Sequence, residues 1–157
     1  MADILPGTVN ENEKRLCYLF DDAMKLRDAG DLVGARRMLA SLVEQLRPED
    51  VRLLSHAHLQ LGYIFKLLGD HREREAHFRV ATVVTPKREI ASLGLYHALY
   101  HQGRLTEALQ EMVRLLRLRD SQLYSELLTP RYAEGLSAEQ QELIAEGRRL
   151  LARRRRN

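Results

Sequence analysis

The chain contains no tryptophan and only one cysteine in 157 residues, and each scarcity removes a class of answer. Cys17 cannot close an internal disulfide by itself, so a crosslinked scaffold is excluded; within a helical pattern, it reads as a small free hydrophobe in a reducing compartment. Aromatics make up 6% of the residues, so the apolar mass must come from Leu, Ala, Val and Ile, which suits closely packed helices rather than sheets. No apolar run approaches the roughly 20 residues of a membrane span. Met1 to Gly7 also lacks the basic start and apolar run of a signal peptide. A soluble, cytoplasmic protein with no membrane partner is expected.

Catalytic signatures are missing as well. There is no Gly-rich phosphate loop, G-x-S-x-G elbow, HExxH helix or cysteine pair, and Cys17 has no evident base nearby in the pattern. Asp21-Asp22 reads as solvated helix surface. The expectation is a non-enzyme with no catalytic residues, no cofactor and no metal. The net charge of +3 belongs to the end of the chain, because without Arg153 to Arg156 the remainder is close to neutral.

What is present is helical periodicity. Met1 to Val9 reads as an irregular leader, and Asn10 before Glu11 and Glu13 reads as a helix start. Leu16, Leu19, Ala23, Leu26 and Ala29 recur every three or four positions as one stripe, ended by Gly30-Asp31. Leu32, Ala35, Leu39, Leu42 and Leu46 make a second helix that closes before Pro48. Pro48 at a first helical position opens a third helix to Leu68, expected to be the longest element, with Val51, Leu54, Ala57, Leu61, Ile64, Phe65 and Leu68 on its core face.

Asp70 to Val84 is rich in β-branched residues and locally could be a strand. The spacing Arg74, Phe78, Ala81 before Pro86 favours helix. Pro86 opens a fifth helix to about His101, and Leu105 to Leu116 marks a sixth. A short helix follows from Asp120 to Leu128, cut off by Thr129-Pro130. After Ala133-Glu134-Gly135, the capping-box pattern Ser137-Ala138-Glu139-Gln140 launches a last helix whose Leu143, Ile144, Leu150 and Leu151 face the core. The order is an irregular leader over 1–9, three helical hairpins within 10–120 (about 16–49, 55–88 and 89–120), and a capping segment over 121–157 with a basic tail.

Gly69 to Gly103 is a step of 34 residues, and Gly30 to Gly69 is five longer, with the excess falling near the start of the third helix. In the middle unit Leu61-Gly62, Phe65, Gly69, Phe78, Ala81 and Pro86 stand in the pattern of the tetratricopeptide repeat family, which the sequence resembles from about Leu16 to Asp120. Leu95, Gly103 and Ala108 fit in the third unit, and Ala23, Gly30 and Ala35 in the first. The resemblance implies an all-α, right-handed superhelical solenoid of α-hairpins with a C-terminal capping helix. Three residues depart from the pattern: Tyr96 replaces a glycine, implying looser packing or a ring used as a wedge. Arg74 replaces a small alanine and must snorkel or pair with an acid, and His58 replaces a tryptophan.

In the family, the first helices of the hairpins line a concave groove that holds a protein or peptide. Counting back from the turn glycines, the groove positions here are Phe20, Met24 and Arg27; His56, Gln60, Tyr63 and Lys66; and Leu93, His97, Tyr100 and His101. The carboxylate clamp of chaperone-tail-binding members falls on Phe20, Met24, Ile90 and Gly94, which cannot form it, so an apolar segment or folded partner is expected instead. His97 and His101 have the i, i+4 spacing of metal ligands but no third ligand in the sequence pattern.

The reading is a protein-binding adaptor, monomeric or homodimeric. Chains of this size and repeat number resemble bacterial secretion chaperones and toxin-neutralising immunity proteins, and Arg-rich usage fits a GC-rich bacterial genome. The alternative is a nucleic-acid-associated protein using Arg153 to Arg156.

Overall fold

The structure, a computed structural model, describes residues 10–128 and 135–154. These residues are all-helical, with no strand among them: α1 (Glu11–Asp28), α2 (Leu32–Gln45), α3 (Val51–Leu68), α4 (His71–Val84), α5 (Glu89–Tyr100), α6 (Leu105–Leu118), α7 (Gln122–Leu127) and α8 (Ala138–Arg154). No helix among them is long and apolar enough to cross a membrane. The expected leader over 1–9, the stop at Thr129-Pro130, the Ala133-Glu134 part of the turn, and Arg155 and Arg156 lie outside the described residues.

The α1–α2, α3–α4 and α5–α6 turns are built alike. Gly30, Gly69 and Gly103 have φ of 89°, 77° and 74°, the left-handed conformation that a side chain would oppose. At each, the next residue's N–H reaches back to the last turn of the helix: Asp31 to the Leu26 carbonyl (2.9 Å), Asp70 to Phe65 (3.0 Å) and Arg104 to Leu99 (3.1 Å). Asp31 and Asp70 then cap the following helices by accepting from the Gly34 (2.8 Å) and Glu73 (3.1 Å) N–H groups. Each turn thus ends one helix and starts the next within two to four residues, which brings the two side by side.

The helices α1 with α2, α3 with α4, and α5 with α6 make the closest pairs; α2 also packs on α3, α4 on α5, and α8 on α6. Lighter contacts join α1 to α3 and α3 to α5. Two apolar clusters result. One, around Leu16, Ala35, Leu39, Leu42, Leu61 and Ile64, joins α1, α2 and α3. The larger, around Phe78, Leu95, Leu99, Leu109, Met112 and Leu116, runs on to Ile144 and Leu151 of α8. The capping box at α8 forms as its sequence predicts: Ser137 Oγ accepts from the Gln140 N–H (3.2 Å), and Gln140 Oε1 accepts from the Ser137 N–H (3.0 Å).

Several expectations are corrected. Pro48 and Pro86 do not open helices; each occupies the second position of a tight turn, closed by Asp50 N–H to the Arg47 carbonyl and Arg88 N–H to the Thr85 carbonyl, both 3.0 Å. Proline's fixed φ suits that position as well as a first helical one, so sequence alone could not separate them. The third helix is not the longest: α1 and α3 both have 18 residues. Cys17 is exposed rather than packed as a small hydrophobe. Ala29, Val51 and Leu68 also lie outside the core, at helix ends where the apolar stripe has run past its neighbour. The β-branched run of α4 is helical, held by Phe78 and Ala81 in the larger core.

Phe78 is the central packing element of α4. Its ring is 1% exposed and lies against glycines of two other helices. A Cβ on Gly62 of α3 would fall 2.9 Å from the ring, and one on Gly94 of α5 2.4 Å. The close approach that the family pattern leads one to seek at position 96 is therefore made at Gly94. Tyr96 is 2% exposed and packs edge-on to Tyr124 of α7, with ring centroids 5.6 Å apart. Its ring fills space rather than loosening the hairpin.

Candidate functional site

Ten of the eleven candidate positions lie on α1, α3 and α5, the helices joined by the lighter contacts, His101 is the C-cap of α5, and none of them is fully buried. The positions between them on α3 (Ser55, Ala57, His58, Leu59, Leu61, Gly62, Ile64, Phe65) and on α5 (Ala91, Ser92, Gly94, Leu95, Tyr96, Ala98, Leu99) are buried. Helical periodicity has thus divided α3 and α5 into a packed side and an accessible side.

The α1–α3 part of this surface is tied together internally. Arg27 donates to the Gln60 side chain and pairs with Asp28 at 2.6 Å. Phe20 packs edge-on to His56 at 6.1 Å, while His56 Nδ1 lies 3.0 Å from the Arg52 carbonyl. Burial, and then the charge of Arg88, holds the His56 imidazole below its ordinary pKa. Met24 is half-buried against the smaller core.

Between α3, α4 and α5 is a cavity of about 210 Å³. It is lined by Tyr63, Lys66, Leu93, His97 and His101 from the candidate set, together with Arg74, Phe78 and Gly94. Tyr63 stands edge-on to Phe78 at 5.3 Å, and the His97 and His101 rings stack at 6.2 Å. Tyr100 is exposed, stacks on Tyr96 at 6.2 Å, and does not line the cavity. Burial raises the Tyr63 hydroxyl's pKa, with Arg88 and Arg74 opposing, so it remains a phenol able to donate. The His97 imidazole is lowered by burial first, then by the neighbouring charges of His101, Arg74 and Lys66.

Arg74 is the residue whose role sequence reasoning missed. It does not pair with an acid, and it does not snorkel into open solvent: the side chain is 4% exposed and Nε has no hydrogen-bond partner. No ion pair to Arg74 is found among the described residues. Burial lowers its pKa, with Tyr63 opposing, but a guanidinium remains charged at neutral pH. The signal was present in the sequence as a departure from a small residue; what it lacked was the whereabouts of the nearest carboxylate.

Other candidates separate cleanly. His58 and His77 face each other with Nδ1 atoms 2.9 Å apart, so one ring donates and the other accepts, and His77 stacks on Phe65 at 5.3 Å. Burial, and then His77, pushes His58 down to about 4. No group of three or more metal-binding side chains occurs among the described residues. Arg154 donates to the Arg117 carbonyl at 3.0 Å, and Arg153 is exposed. No known protein family's profile matches the chain, and a search of curated proteins finds no relative.

Proposed function

We propose that the chain is a tetratricopeptide-like adaptor: a right-handed superhelix of three α-hairpins capped by α8, which holds a partner protein or peptide in a groove lined by α1, α3 and α5. One observation carries this reading. Positions chosen by counting back from the turn glycines fall on the accessible side of three neighbouring helices, and five of them gather at one cavity. A surface assembled from aromatic, imidazole and aliphatic groups with a few donors suits recognition of an extended or helical segment.

The test is capture. Replacing Tyr63 and His97 with Glu should abolish partner recovery from a lysate of the native host while circular dichroism stays unchanged. Undiminished recovery by a folded double variant would remove the groove from consideration.

A further inference from the structure

The unpaired cation at the base of the cavity points to what the groove accepts. We propose that the cavity between α3, α4 and α5 receives the carboxylate of an acidic side chain on the bound segment, with Arg74 as its principal partner. This inference rests on the groove reading for the source of the carboxylate, but the site itself is defined by residues of this chain.

Taking a guanidinium out of water without a counter-charge is costly, and Arg74 is 4% exposed with an orphaned Nε and no ion pair among the described residues. An anion entering the cavity would restore what folding removed. The other polar groups at the cavity are a cation, two imidazoles and a phenol that can donate: Lys66 and Tyr63 from α3, His97 from α5 and His101 at its C-cap, with no carboxylate among the lining residues. The acids nearest in sequence lie elsewhere: Glu73 sits 3.9 Å from His77, beside a different pocket. Glu75 is bound to Arg79 and Arg104, Asp70 caps α4, and Glu89 accepts from Ser121 at the start of α7.

Size and shape select the class of anion. About 210 Å³ is below the roughly 300–1,000 Å³ of sites that take drug-sized ligands, and it suits a single side chain. The walls are mixed: Phe78, Leu93 and Gly94 offer apolar contact to a methylene stem, while Arg74 offers the planar fork that a carboxylate accepts. Of the four positions of the family's terminal-carboxylate clamp, one, Gly94, lines this cavity, and without a side chain it supplies no charge. Two others are Phe20 and Met24 on α1, and Arg74 is not among the four.

The probe is glutamate blocked as its N-acetyl methylamide, with blocked glutamine as the neutral control, followed by NMR on the full chain labelled with nitrogen-15. Blocked glutamate should shift the Arg74 Nε–H resonance saturably and raise the His97 titration midpoint; blocked glutamine and sodium chloride at matched ionic strength should not. Arg74→Met should weaken the effect on His97 at least tenfold. Lys66→Gln, at an exposed position that leaves packing alone, should weaken it several-fold and serves if Arg74→Met fails to fold. Equal shifts from glutamine or chloride, or a response unaffected by either substitution, would overturn the proposal. Saturable binding of inorganic phosphate without binding of blocked glutamate would overturn the carboxylate assignment. These measurements involve no partner, so their failure leaves the groove reading standing, and a negative capture experiment leaves the carboxylate site standing.

Discussion

Arg74 and Glu75 are neighbours on α4, turned about 100° from each other around its axis, and the two solve the problem of charge differently. Glu75 pairs with Arg79 and Arg104, both at 2.6 Å, and accepts from Gln102 at 3.0 Å. Burial works to raise its pKa, but those hydrogen bonds and the Arg104 charge outweigh it and hold the carboxyl below its usual range. Arg74 has no such partners. The same contrast separates the two histidine pairs: His58 and His77 satisfy each other, whereas His97 and His101 stack beside Lys66 and Arg74 without a counter-charge. Polar groups that complete one another hold a fold together; cations and imidazoles gathered at one cavity with no carboxylate among them are what the proposed site rests on.

The largest expected effect tests the wall between α4 and the cavity. Phe78→Ala should cost about 3–5 kcal/mol in urea unfolding, because it empties a ring site closed by Gly62 and Gly94. A loss below about 1 kcal/mol would show that the helices collapse onto the gap. Gly94→Ala should cost about 1–3 kcal/mol by thermal melting, because the added Cβ would lie 2.4 Å from a buried Phe78 ring that Gly62 confines on another side, a clash only partly offset by better helix propensity.

The comparison predicts opposite signs for the two neighbours. Arg74→Met should raise stability by about 1–2 kcal/mol, since it removes an uncompensated buried charge of similar length. Destabilisation would mean that Arg74 is held by contacts other than ion pairs. Glu75→Gln should lower stability by about 1 kcal/mol or less, because Arg104 keeps Glu107 as a partner; an equal gain in both variants would erase the contrast.

The paired histidines give a pH test. His58 titrates near 6.5 when unfolded and about 4 when folded, so the unfolded chain binds the extra proton between those values. The stability from neutral His58 is complete above about pH 6.5 and is lost as pH falls toward 4, on the order of 2 kcal/mol. Urea midpoints measured from pH 7 to 4 should fall more steeply in the native protein than in His58→Leu. Parallel slopes would sink the assignment.

Much of the helical plan was legible from residues alone. Gly30, Gly69 and Gly103 needed only their own backbone conformation to be recognised, and Ser137 to Gln140 needed only local spacing. The prolines misled because Pro48 and Pro86 fit two neighbouring local geometries equally well. At the candidate site, the accessible sides of α3 and α5 followed from their period, but Tyr100 could be separated from His97 and His101 only once the Tyr96 ring was in place to stack on.

The sequence by itself determined which stretches are helical, where the glycine turns fall and which side of each helix is apolar, because these depend on contacts within a few residues. Only the tertiary structure decided that Phe78 would press on Gly94 as well as Gly62. It also decided that Glu75 would be drawn to Arg104, 29 residues away, and that Arg74 would be left without an acid. Which charges meet depends on how separate helices come together, and no local pattern encodes it.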